Sequence, residues 1–179
     1  RKIGSLSILS EIYHTLIQFS DKPLAPSQEE LFMKFESNQK QIILEERLNL
    51  VFAVVKKAFK QKEFESHQID LSKLILDNYK KFQISSDIGY SFKNLFKLAQ
   101  IADIYGADSK NYTEIDLFFV KHINRLKGTE KDSINDLIYH IDLLYLVANI
   151  YFRKKQFGKS LDFLSDMYIQ MERFEDKYM

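Results

Sequence analysis

Apolar residues recur at three- and four-residue spacing along most of the chain, and no stretch alternates polar and apolar positions over the length of a strand. The pattern predicts about eight helices. The first covers roughly residues 6–19, with Ile8, Leu9, Ile12, Leu16 and Ile17 on one stripe, and stops before Pro23, which cannot continue it. The second starts at Ser27, which forms a capping box with Glu30 and turns Leu31, Phe32 and Phe35 inward. A third, over about 41–61, contains the unbroken apolar run Leu50-Val51-Phe52-Ala53-Val54-Val55, as expected of a helix packed on nearly every side. The fourth covers about 65–82. Beyond a break at 83–89, Ser86 or Asp87 can cap a fifth helix ending near Gly106, and Asn111 with Glu114 can cap a sixth that ends before Gly128. Several caps over 129–133 precede a seventh helix reaching about Lys155, and Gln156-Phe157-Gly158 turns the chain into the last, which runs to about Tyr168 or further.

Two of these helical regions share a phrase. Phe59-Lys60-Gln61-Lys62-Glu63-Phe64 returns as Phe152-Arg153-Lys154-Lys155-Gln156-Phe157, 93 residues later. The apolar positions before it agree as well, Val51, Val54, Val55 and Ala58 matching Leu144, Val147, Ala148 and Tyr151. A divergent third copy lies between them, with Ile101, Ala102 and Tyr105 followed by Tyr112, Ile115 and Phe119. Ala58, Tyr105 and Tyr151 then stand 47 and 46 residues apart, the spacing of stacked helical hairpins. The expected fold is all-α, an α-solenoid formed by residues 1–179 as one repeat domain.

The stretch from Leu144 to Met167 carries a family resemblance. Val147-Ala148 stands as an aliphatic and small pair, Tyr151 and Phe157 as two aromatics, and Ser160 as a small residue before Leu161, Leu164 and Met167. In this pattern the chain resembles the tetratricopeptide repeat, most clearly over residues 141–170, with elongated helices. The resemblance implies a right-handed superhelix of antiparallel hairpins, with Ala148, Tyr151 and Phe157 buried between helices. It also implies that the first helix of each hairpin lines a groove where peptides or partner helices bind. Those positions are Asp142, Tyr145, Asn149, Phe152 and Arg153, joined by Asn49, Phe52, Lys56, Phe59 and Lys60 and by Phe96, Gln100 and Asp103.

Composition narrows the chemistry. With 26 basic and 25 acidic residues, the net charge of +1 supplies no electrostatic footprint for nucleic acid, so direct nucleic-acid binding is disfavoured. No Cys occurs, which removes disulfides, thiol catalysis and Cys-ligated metals. His14, His67, His122 and His140 have no second His at helical spacing, although Asp136 can pair with His140 on one face. Neither a phosphate loop nor a nucleophile elbow nor a zinc-protease motif occurs, so no enzyme, cofactor or metal site is expected. No apolar run reaches the ~18 residues of a membrane span. The chain opens on Arg1 and is expected to be a segment of a longer, cytoplasmic protein.

These readings converge on a binding module for a protein or peptide segment, with Lys, Arg and Asn among aromatics suiting an acidic ligand that carries apolar anchors. Such a module would be a scaffold, or the interaction or sensory part of a larger regulator, as in bacterial transcriptional regulators. Two alternatives stand beside it: a structural module that self-associates into a homo-oligomer, and a helical enzyme or phosphatase-like regulator.

Overall fold

The computed structural model describes residues 3–20, 27–62, 70–106, 112–126 and 134–178. Among them every regular element is an α-helix, and the fold class is all-α. In chain order these are α1 (Ile3–Gln18), α2 (Gln28–Lys62), α3 (Leu71–Lys81), the single turn α4 (Ser86–Gly89), α5 (Phe92–Gly106), α6 (Tyr112–Leu126), α7 (Ile134–Arg153) and α8 (Phe157–Tyr178). The caps expected at Asn111 and over 129–133, and the start of the fourth helix near Glu65, lie outside the described residues.

Two compact units divide within α2, one spanning Arg1–Asn49 and the other Leu50–Met179. The second and third expected helices are thus one 35-residue helix. Nothing between 36 and 41 is a Gly or Pro, and Asn38 does not compete for its own backbone. Its buried amide instead donates to the Leu6 carbonyl and to Ser10 Oγ, both at 2.8 Å, while Gln39 donates to Ser10 Oγ at 2.9 Å. In this unit α1 turns Leu6, Ser10, Tyr13 and Ile17 inward, and Ile8, Leu9, Ile12 and Leu16 are exposed. At the start of α2, Ser27 Oγ accepts from the Glu30 N–H at 3.2 Å, but the Glu30 carboxylate takes Lys34 and does not reach back. Leu31 is buried as expected, whereas Phe32 is exposed.

The second unit has a continuous apolar core. Leu71, Ile75 and Tyr79 of α3, Leu95, Leu98, Ala99 and Ala102 of α5, and Phe119 and Ile123 of α6 are buried. So are Leu143, Leu144, Val147, Ala148 and Ile150 of α7. α3 is capped by Asp70, whose carboxylate accepts from the Lys73 N–H at 2.9 Å. Both α3 and α7 end the same way: the Ile84 N–H returns to the Tyr79 carbonyl and the Gln156 N–H to the Tyr151 carbonyl, with Gln83 and Lys155 at positive φ. This is the Schellman closure, here without the usual glycine. Ser86 and Asp87 lie inside α4 and do not cap α5; Ser85 stands at the N-cap of α4 without a side-chain cap bond.

Contacts among α5, α7 and α8 are ordered along the chain. Between α5 and α7, Phe92 stacks on His140 with centroids 4.2 Å apart, Phe96 meets Tyr139 at 5.7 Å, and Arg153 lies 2.8 Å from Asp103. Early residues meet early residues and late meet late. Between α7 and α8 the order reverses: Ser160 Oγ donates to the Ala148 carbonyl at 2.9 Å and Phe163 stacks on Tyr151 at 5.5 Å. Further along α8, Met171 and Phe174 share a cleft with Ile138 and Ile141 near the start of α7.

Candidate functional site

The expected groove positions divide by burial. Phe52 and Phe59 are buried, at 8% and 3% exposure, and belong to the core; they offer no surface to a ligand. Phe52 instead carries the Lys97 ammonium over its ring at 5.2 Å. The cause is the apolar run of α2, which buries Val51, Val55 and Phe59 on neighbouring turns. Lys56, Lys60 and Gln100 are exposed, and Phe96 is half-buried against Tyr139. Asn49 is exposed too, but falls in the first compact unit.

Of the expected positions on α5 and α7, Asp103 and Arg153 are in contact across the two helices. Tyr145 and Phe152 are 51% and 60% exposed, large rings held on the side of α7 opposite its buried residues. Asn149 is half-buried between them along the same stripe. The Arg153–Asp103 pair ties the ends of the two helices together, its carboxylate mostly buried and the guanidinium partly open. It is a contact of charges without hydrogen-bond alignment. Asp142 borders a cleft of about 300 Å³ with Ile138, Ile141, Met171, Phe174 and Glu175, and burial pushes its carboxyl above the ordinary range.

Phe157, expected in the core, is 54% exposed. The inward stripe of α8 runs through Ser160, Phe163, Leu164 and Met167, which places Phe157 on the flank. There it meets Phe152 edge-on at 5.5 Å. Leu161 and Tyr168 continue this flank, 62% and 61% exposed.

A second cavity, of about 360 Å³, opens where α4, the start of α5, the end of α6 and the start of α7 converge. Its walls are Tyr90, Phe92, His122 and Leu126, and Asp87, Arg125 and Asp136 supply charge. Tyr90 stacks on His122 at 3.9 Å and meets Tyr79 edge-on at 5.2 Å. The Tyr79 hydroxyl donates to the Gly89 carbonyl at 2.6 Å. Burial, with the charges of Lys121 and Arg125 adding to it, pulls the His122 imidazolium down to about 4, so the ring is neutral at pH 7. Its Nδ1 is buried and meets no hydrogen-bond partner among the described residues. Arg125 donates to Asp87 at 3.1 Å.

The sequence holds no pattern for this cavity, because its residues come from four elements at irregular spacing. Its one legible sign is His122 on an apolar helix face. Asp136 lines the cavity and the His140 ring stacks on Phe92. Among the described residues no cluster of His, Cys, Asp or Glu could hold a metal ion, and no helix is long and apolar enough to cross a membrane. No protein-family model, curated protein or solved structure matches the chain.

Proposed function

We propose that this chain is a protein- or peptide-binding helical-repeat module, built of antiparallel hairpins in a tetratricopeptide-like solenoid. The pairing of α5 with α7 carries the reading. The two helices run side by side in the same direction, as the first helices of successive hairpins would, and α8 folds back along α7 as a second helix would. The paired positions are 43 to 50 residues apart in sequence, close to the 46–47 residue spacing of the repeated apolar pattern.

The ligand surface in this reading is the uncovered side of α5 and α7, with Gln100, Tyr145, Asn149, Phe152 and Arg153. Exposed aromatic rings are apt anchors, since burying them on binding releases water from large apolar faces. Arg153 keeps further N–H donors beside the one facing Asp103, enough to hold a ligand carboxylate. The favoured ligand is an extended or helical segment carrying apolar anchors and one acidic group. A peptide selected on the immobilised protein from a random library tests this by fluorescence anisotropy. The double variant Tyr145→Ala, Phe152→Ala should weaken binding at least tenfold with unchanged helical circular dichroism; undiminished binding would place the ligand elsewhere.

Self-association is a second reading, favoured by the exposed row Phe157, Leu161 and Tyr168 on α8. In that case sedimentation of the unliganded protein depends on concentration, and Leu161→Glu removes the dependence.

A further inference from the structure

We propose that the cavity between α4, α5, α6 and α7 binds a small zwitterion with a planar apolar part, of the class of aromatic amino acids. This site is separate from the groove reading and does not depend on it. Three observations specify the ligand. The cavity, about 360 Å³, is large enough for one such molecule and is walled by rings, with Tyr90 and His122 stacked together and Phe92 backed by His140. Flat walls favour a flat guest, because offset and edge-on ring contacts contribute beyond the area they bury.

Both signs of charge border this apolar space. Arg125 uses one nitrogen on Asp87 and retains other N–H donors for a ligand carboxylate. Asp136, half-buried on the first turn of α7, and Asp87 face the same cavity and can accept from an ammonium. A guest with a single charge would satisfy only part of this set.

The third observation is His122. A residue only 8% exposed, with a buried ring nitrogen that meets no partner among the described residues, is a cost that a core position would ordinarily avoid by carrying Phe or Leu. Stacked on Tyr90 and packed against Phe118, a neutral imidazole helps hold the aromatic wall in place without adding charge, which the low protonation range of His122 preserves throughout neutral pH.

The chain contains no Trp, so tryptophan excitation reports a bound indole without protein background. Titrating protein into L-tryptophan, tryptophanamide, indole-3-propionate and indole tests the charge requirement. L-tryptophan should bind at least tenfold more tightly than the other three. Arg125→Gln should abolish its advantage over tryptophanamide, and Asp136→Asn its advantage over indole-3-propionate, with circular dichroism unchanged in both. Equal binding of indole and L-tryptophan, no binding of any probe at millimolar concentration, or an Arg125→Gln protein that still prefers L-tryptophan to its amide would overturn the proposal.

Discussion

Single residues show where close approach matters. Ala148 is buried with its carbonyl taken by Ser160, so two helices meet there at a methyl group and a hydroxyl. Ala148→Leu should lower stability by about 1–3 kcal/mol through overpacking. Phe157→Ala, at a half-exposed position, should fall well short of the ~3–5 kcal/mol of a core Phe. Urea unfolding of both variants checks the contrast; equal losses would mean that α8 packs through a different stripe. Gly89 illustrates the same constraint without any special backbone angle: a Cβ there would stand 2.8 Å from Tyr79 Cδ2 and Cζ. His122 makes stability depend on pH. Its folded-state protonation is pulled from 6.5 to about 4, so the unfolded chain binds the extra proton first. Stability contributed by neutral His122 is present above pH 6.5 and is lost as pH falls from there toward 4. Between pH 6.5 and 5, before most carboxylates titrate, the wild-type unfolding free energy should fall faster than that of His122→Gln. Parallel curves would contradict the burial argument.

At the scale of helices, periodicity in the sequence locates most elements, while caps and turns are legible only in part. Ser27 is readable because a hydroxyl precedes an acidic first turn. Asp70 is hidden because the polar residues before it extend the helical pattern backwards. The break expected near residue 40 does not occur, for a related reason: a polar stretch without Gly or Pro interrupts the apolar stripe but not the helix. The sequence places the turn before α8 at Gln156-Phe157-Gly158, yet the left-handed residue is Lys155. Gly158 lies in the first turn of α8, where an added Cβ would meet nothing within 4 Å. Both positions are therefore open to improvement. Gly158→Ala should stabilise by roughly 0.5–1 kcal/mol, and Lys155→Gly by a similar amount, since alanine favours helix and glycine favours positive φ. Thermal melts of each variant check this, and a lower midpoint for either would show that the turn is held differently.

For the whole molecule, the long-range repeat carries more information than any local motif. The repeated phrase aligns Val51 with Leu144 and Val55 with Ala148, and all four are buried. Its first Phe behaves differently in the two copies, buried at Phe59 and exposed at Phe152, because the surroundings of α2 and α7 differ. That divergence is why the sequence can name candidate positions but not say which of them face outward. Arg153 shows the same limit. As a lone surface charge it would tolerate reversal, but beside Asp103 a glutamate would set two carboxylates together, so Arg153→Gln is the cleaner probe of a ligand contact.

The proposed binding surface requires α5 and α7 to lie side by side in one register, and the absence of cysteine makes that directly measurable. Asp103→Cys with Arg153→Cys should be joined efficiently by a short bismaleimide in the folded protein. Asp103→Cys with Tyr139→Cys should not, because residue 139 lies fourteen positions back along α7, about 21 Å at the helical rise. Cross-linking of the second pair as fast as the first, or none of the first, would contradict the arrangement.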